Sequence, residues 1–284
     1  EIIIDVNGLV DKTNQDNSFN ENYLTGIYEV FEKYNTQYAI LVRPYPVGKN
    51  PFKLKKFFTI MNNDKRDFIF EYEFLKLFDF VRLLFMIIVY PFRVLNLMQK
   101  ESSDIDKIFN NSLIEDIKYF NFISLTRYIL GENLSKIVSI KKIYSWCEFQ
   151  VIERSFNYAI KKKCNHIKLI GLQVYINYET FFNTYVDDTD FNMLSSPDKI
   201  IVNGKYYIRD LKKIIYETGV SLRYKSLFNF KGIIREKSIL LLGSYVISDT
   251  KYLLNSVKKF DDIVFKNHPA INIKRLGNLP ENIK

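Results

Sequence analysis

Glu1-Ile-Ile-Ile-Asp5 opens the chain, and Tyr38-Ala-Ile-Leu-Val42 repeats its character after one amphipathic interval. These two runs decide the fold class. Each is short and apolar, and each is closed by turn residues: Asn7-Gly8 after the first, Arg43-Pro44-Tyr45-Pro46 after the second. Both therefore read as buried strands. Between them lies a polar loop rich in Asn and Asp, and then Tyr23, Ile27, Val30 and Phe31 at helical spacing, which predicts an amphipathic helix over 21–34. Strand, helix, strand is the opening of a βαβ unit. No GxGxxG loop follows the first strand, so a dinucleotide fingerprint is excluded.

The same alternation returns further on. His166-Ile-Lys-Leu-Ile-Gly171 reads as a strand ending in Gly171-Leu-Gln173, with Tyr175 beyond. An acidic loop, Val186-Asp-Asp-Thr-Asp190, runs to Ser195-Ser-Pro197, and Asp198 to Gly204 gives a short strand with a turn. Tyr206 to Tyr216 predicts a helix, stopped by Thr218-Gly219. Ser238-Ile-Leu-Leu-Leu-Gly243 is an all-apolar strand, Asp249 to Lys258 a helix, and Phe260-Asp-Asp-Ile-Val-Phe-Lys-Asn267 another strand. Lys266, His268 and Pro269 fall at its carboxyl end, where open α/β sheets place their ligands. Lys266 brings a fixed charge and His268 an imidazole that donates to a phosphate when protonated.

The resulting expectation is an α/β chain with two Rossmann-like domains. Residues 1–232 form the first and carry a helical insertion over about 72–163; residues 233–284 begin the second. Too few strands follow residue 233 for a complete mononucleotide-binding half, and the first residue is not Met, so the chain reads as trimmed. Within the insertion, Ser103-Asp-Ile-Asp106 offers N-cap residues ahead of Ile105, Ile108 and Phe109, and another helix or two over 111–131 ends near Gly131. A third helix is predicted from about Ile143 to Lys163, with Trp146, Phe149, Ile152, Phe156 and Ile160 on one face. Glu148 stands off that stripe near the helix start, Glu153 and Arg154 flank it, and Lys161-Lys-Lys163 suits the negative end of the dipole.

Residues 72–98 are the most apolar stretch. The uncharged core from Leu83 to Phe92 is about ten residues, and a spanning helix needs about 20. Arg82 and Arg93 bracket it and Pro91 would kink it. Two readings stand: a buried helix, or a helix at a membrane surface with Lys76, Arg82, Arg93 and Lys100 near anionic headgroups.

A hydrophobic content of 47% over 284 residues is ample for a large core and, with 16% aromatics, argues against disorder. The net charge of +9 suits an anionic partner without choosing one. Cys147 and Cys164 make neither a metal pattern nor a disulfide framework, which fits a reducing compartment. Residues 1–5 lack the basic and long apolar regions of a secretory signal.

Several short motifs carry a family likeness. Trp146-Cys-Glu-Phe-Gln150, Gly171-Leu-Gln173, Pro197-Asp-Lys-Ile-Ile-Val-Asn-Gly204 and Leu222-Arg-Tyr224, in that order, resemble bacterial surface-carbohydrate biosynthesis proteins. Those are regarded as glycosyltransferases of the two-Rossmann-domain, GT-B type. Lys266-Asn-His268-Pro269 is similar to the His-Pro motif of bacterial sialyl-, polysialyl- and Kdo-type transferases, where it contacts the phosphate and cytidine side of a CMP-sugar. The serine/threonine-rich segment that follows the motif in those enzymes has no counterpart here.

The resemblance implies transfer of a sugar from a nucleotide donor to a glycan or glycolipid acceptor, in capsule or lipopolysaccharide synthesis. The expected place is the cytoplasm, at the inner face of the bacterial inner membrane. It implies no cofactor beyond the donor and no metal. His268, Pro269 and Lys266 would serve the donor phosphate, with Gly243 and Ser244 adding donors at a strand–helix junction. Glu148 would be the base, with Asp187, Asp188 and Asp198 as rivals. Gln173, Asp188 and Arg223 would face the acceptor. Two other classes remain open. One is single-stranded nucleic-acid binding through Leu222-Arg-Tyr-Lys-Ser-Leu-Phe228, disfavoured because positive residues are scattered and no RRM, KH or helix-turn-helix signature appears. The other is a membrane-surface scaffold built on residues 72–98.

Overall fold

The computed structural model describes residues 1–46, 50–118, 122–174, 185–219, 222–223, 238–268, 271–280 and 283. The chain divides into two compact units, residues 1–228 and 229–284. In the first, the order is β1 (Ile2–Leu9), α1 (Val10–Asp16), α2 (Thr25–Lys33), β2 (Tyr38–Tyr45), α3 (Pro51–Asn62), β3 (Asp67–Phe70), a 3-10 turn (Glu71–Phe74), α4 (Leu77–Leu95), α5 (Asp104–Lys118), α6 (Phe122–Leu134), β4 (Lys142–Trp146), α7 (Val151–Lys163), β5 (Lys168–Leu172), α8 (Asp188–Asn192), β6 (Lys199–Val202) and β7 (Ile215–Thr218). The strands form one seven-stranded sheet in the order β3-β2-β1-β4-β5-β6-β7. Every pair in it is parallel.

This is a Rossmann-like α/β architecture, and the alternation along each strand explains its layers. Ile4 and Val6 of β1, with Ile40 and Val42 of β2, pack against Val10, Leu24, Ile27, Phe57 and Met61 from α1 to α3 and the segment before α2. Ile3 and Leu41, one residue out of step, face the other way and meet Leu130, Leu134, Phe156 and Ile160 of α6 and α7. A parallel sheet covered on both faces needs such continuous apolar strands. β2 and β4 flank β1 on opposite sides, so the chain reverses its direction of travel across the sheet there. Ligands of open α/β sheets bind beyond the carboxyl ends of the strands at such a reversal.

Several local expectations are corrected. β1 runs through Asn7-Gly8 to Leu9, where a turn was expected. A Cβ at Gly8 would stand 2.7 Å from the Phe57 ring and 2.8 Å from Val42, so the glycine admits α3 rather than bending the chain. The Asn- and Asp-rich stretch includes the short helix α1. α6 passes through Gly131 and ends at Leu134. A Cβ there would lie 2.8 Å from Ala159 and 2.9 Å from the Phe156 carbonyl, so this glycine lets α6 and α7 touch. The helix expected over 143–163 is two elements, β4 and α7, because Trp146 belongs to a strand. The helix expected over 206–216 is a 3-10 turn at Lys205–Tyr207 followed by β7.

The apolar stretch at 72–98 forms α4, and it is not buried all round. Leu83 and Val94 face inward with Asp79, whereas Leu77, Phe78, Val81, Leu84, Phe85, Ile88, Phe92 and Leu95 are exposed. At about 100° per residue these eight share one stripe, opposite the buried side. α5 pairs antiparallel with α4 through a hydrogen bond from the Tyr90 hydroxyl to Asp116 and a mutual pair between Gln99 and Asn110. Among the described residues, no helix is long and apolar enough to cross a membrane.

The smaller unit contains β8 (Ile239–Leu242), α9 (Ile247–Ser256) and β9 (Ile263–Lys266). Its two strands pair in parallel, as the βαβ reading expects. Leu241 and Ile263 pack against Leu254 and Leu276, while Leu240, Leu242 and Val264 point outward and stay exposed.

A buried charge cluster crosses the first unit. Arg127 of α6, 1% exposed, donates from Nη1 to Asp5 Oδ1 of β1 at 3.0 Å and to Glu71 Oε1 at 2.7 Å, and from Nη2 to Asp5 Oδ2. Burial alone would pull the guanidinium down, but the two carboxylates hold it above its ordinary value. Removing one partner of such a cluster leaves uncompensated charge in the interior. Arg127→Met should lower the free energy of unfolding by roughly 3–5 kcal/mol in urea titration, far more than any surface change.

Candidate functional site

The carboxyl ends of β1, β2 and β4 open into a cleft of about 760 Å³. Asn7 and Leu9 come from β1, Arg43, Pro44 and Tyr45 from β2, and Trp146 from β4. Glu71 and Tyr72 of the 3-10 turn, Phe80 of α4, and Phe122, Ile123 and Thr126 of α6 form further walls. Glu148, Gln150, Val151 and Ile152 close it from the β4–α7 connector. The walls are thus mostly aromatic and aliphatic with a few polar groups, which is the composition of a small-molecule site.

Glu148 lies on this connector, not on a helix face as expected. It is half-buried, and its carboxylate accepts from Gln150 Nε2 at 2.6 Å. Burial raises its carboxyl above the ordinary value, while Gln150 and the charge of Arg223 pull it back. The neighbouring residue explains the geometry. Phe149 sits at φ 59°, in the left-handed region that a bulky side chain rarely adopts. Its buried ring and the Glu153 carboxylate hold it there. Glu153 accepts the amide N–H of Glu148 at 2.9 Å, of Phe149 at 3.1 Å and of Gln150 at 3.4 Å. It thereby caps α7 and pins the loop that presents Glu148. Local strain held by surrounding contacts is a mark of a functional turn.

Arg223 is near the same wall: its guanidinium lies 5.5 Å from the Tyr23 ring centre, and Glu148 and Arg223 both act on the Tyr23 hydroxyl. Gln173 is elsewhere. It lines a separate cavity of about 150 Å³ with Cys147, Tyr185, Arg209 and Tyr216. Its Oε1 accepts from the Asn203 amide at 2.8 Å, and its Nε2 is buried without an acceptor. The three aspartates have structural partners. Asp187 caps α8 by accepting from Thr189 and Asp190. Asp188 accepts the amides of Lys212 and Lys213 at 3.1 and 3.0 Å. Asp198 accepts the Leu169 amide at 2.9 Å and pairs with Lys161 at 3.1 Å. Lys161 is therefore held by a carboxylate rather than only by the end of its helix.

In the smaller unit, Gly243, Ser244, Lys266 and His268 do come together at the carboxyl ends of β8 and β9. The Gly243 amide donates to the Lys266 carbonyl at 2.9 Å. Lys266 is exposed, and the half-buried His268 ring stands edge-on to Tyr245 with centroids 5.4 Å apart. Ser244 is engaged locally: its amide donates to Thr250 Oγ1 at 2.8 Å and its hydroxyl accepts from Val246 at 3.1 Å. Pro269, Tyr175 and Tyr224 lie outside the described residues. Among the described residues, no cluster of three or more His, Cys, Asp or Glu could hold a metal ion.

The chain matches no family model, no curated protein and no solved structure. Sequence reasoning missed Arg43, Tyr72 and Trp146 as lining residues and Glu153 as the support of Glu148. The Arg-Pro-Tyr-Pro run after the second strand was the available signal for Arg43, since it marks a strand's carboxyl end.

The support of the connector has a pH signature. Burial pushes the Glu153 carboxyl up to about 8 against the pull of its three amides. A carboxyl raised in the fold binds its proton more tightly there than in the unfolded chain. Its stabilising contribution is complete below about 4.5 and is lost as pH rises through about 8. Urea midpoints should therefore fall between about pH 5 and pH 8.5, and Glu153→Gln should flatten the profile; equal slopes in both proteins would remove Glu153 as the titrating group.

Proposed function

We propose that this chain is a glycosyltransferase of bacterial surface-polysaccharide synthesis, of GT-B type. In this reading the first unit is the acceptor side and residues 229–284 belong to the donor side. The donor is a nucleotide sugar activated by CMP, and the acceptor is a glycan or glycolipid hydroxyl. One observation carries the reading: Glu148, a carboxyl raised by burial, lines a large aromatic cleft at the reversal point of a parallel sheet. A base tuned toward neutral pH is what removal of a hydroxyl proton needs.

The reaction balances with these groups. The acceptor oxygen forms a bond to the anomeric carbon while the bond from that carbon to the phosphate oxygen breaks. The proton goes to Glu148 and the electron pair to the phosphate. Within the smaller unit, Lys266 and His268 would bind the donor phosphate. Tyr23, Tyr45 and Tyr72 offer faces against which the apolar side of a sugar ring can lie.

Calorimetry and turnover separate the two units. His268→Ala should weaken CMP binding, whereas Glu148→Gln should bind CMP as the parent does and lose roughly 10²–10⁴ in turnover with the best donor from a nucleotide-sugar screen. Unchanged CMP affinity in the first variant, or full activity in the second, removes that residue from its role.

A membrane-surface role is a second reading, favoured by the bare stripe of α4. Lys76, Arg93 and Lys100 are exposed at the ends of the helix, and its carboxylate, Asp79, is buried. Apolar side chains flanked by cations fit the surface of an anionic bilayer, at the cytoplasmic face of the inner membrane. Phe85→Asp combined with Ile88→Asp should abolish sedimentation with phosphatidylglycerol vesicles while leaving the circular dichroism spectrum intact; retained sedimentation excludes α4 as the contact.

A further inference from the structure

The cleft holds a cation whose hydrogen-bonding capacity is not used up. Arg43, near the carboxyl end of β2, is 7% exposed and lines the cleft. Its Nε donates to Asn7 Oδ1 at 2.8 Å, which fixes the plane of the guanidinium. The Trp146 ring centre lies 5.3 Å from its central carbon. Nη1 is buried and has no acceptor. A buried donor without a partner is costly, and a charged one more so. The nearest carboxylates do not serve it. Both oxygens of Asp5, and Oε1 of Glu71, are taken by Arg127. The carboxylates of this cluster bond Arg127 and leave Arg43 Nη1 without an acceptor, so an anionic oxygen would suit it.

The surroundings choose the kind of anion. Among the described lining residues Arg43 is the one cation, and Glu71 and Glu148 share the wall. The amides at the start of α7, which could cradle a phosphate, already point at Glu153. α1 carries Asp11 in its first turn. A dianionic phosphate would meet two carboxyls at the wall, with Arg43 the one cation among the described lining residues and Arg223 already set beside Tyr23 and Glu148. A carboxylate carries one charge, and one of its oxygens can accept from the unpartnered Nη1 of a guanidinium whose Nε is already bonded.

We propose that Arg43 anchors a carboxylate on the molecule that fills this cleft, so that the substrate of the first unit is an acidic sugar or related organic acid. The identity of that molecule as the acceptor rests on the glycosyltransferase reading; the anchoring does not. Asn7 is then a positioning residue, because its Oδ1 orients the guanidinium.

Three probes on the intact chain test this by calorimetry: methyl β-glucuronoside, methyl β-glucoside and glucose 6-phosphate. The glucuronoside should bind at least about tenfold tighter than the glucoside, the scale of a hydrogen bond between charged groups. Arg43→Gln should erase that preference. Because Arg43 is buried, Asn7→Ala provides a milder check, and it should narrow the preference for glucuronoside over glucoside. Equal affinity for glucuronoside and glucoside in the parent protein overturns the proposal, whether or not a variant folds. Tighter binding of the phosphate ester also overturns it. Arg43-dependent binding of the glucuronoside by a protein that transfers no sugar from any donor would support the anchor and sink the transferase reading.

Discussion

Arg127 is the point from which the first unit is organised. Its guanidinium is buried between a strand, a 3-10 turn and its own helix, and it engages Asp5 and Glu71 together. Phe156 of α7 lies against its other side, 3.9 Å from ring centre to guanidinium carbon. Three charges in a dry interior are tolerated only when each finds the others, so the positions of α6, β1 and the turn after β3 are mutually fixed. Burial raises Glu71, and Arg127 and Arg43 pull it back. Neutralising one carboxyl would unbalance the rest.

The cleft inherits its geometry from that arrangement. Glu71 and Trp146 touch both the buried cluster and the cavity, so the same contacts that fix the fold also set the cleft's floor. On the opposite wall the β4–α7 connector is held by a different device, a left-handed Phe149 stabilised by one buried carboxylate that accepts three amides. Rigid walls of this kind suit a site that must hold a flexible polar ligand, since orientation is prepared before binding. α4 contributes Phe80 to the rim and leaves the rest of its apolar stripe uncovered.

Legibility followed burial pattern. β1, β2, β5, β6, β8 and β9 were readable because parallel strands buried on both faces are runs of apolar residues with few alternatives. The helix at 143–163 was misread because Trp146, Phe149 and Ile152 happen to fall at helical spacing although they lie on three different local conformations. Gly8 and Gly131 looked like punctuation, and their actual work is to admit a neighbouring ring and a neighbouring helix. Of the site, Glu148 could be picked out as a candidate carboxylate, but its place on a strained connector could not. Arg43 went unseen, because an arginine before a proline looks like a strand end until the neighbouring strands show what it faces.

The amino-acid sequence by itself determined the class: alternating apolar strands and amphipathic helices admit a parallel α/β sheet and little else, because both faces of each strand demand cover. It also determined that a basic, aromatic chain would carry at least one apolar stretch too short to span a bilayer. Only the tertiary structure decided which residues share a wall. Glu148, Arg43, Glu71 and Tyr23 are far apart along the chain and meet because β1 is flanked by β2 on one side and β4 on the other. That convergence is a property of strand order, which leaves no local trace in the residues it brings together.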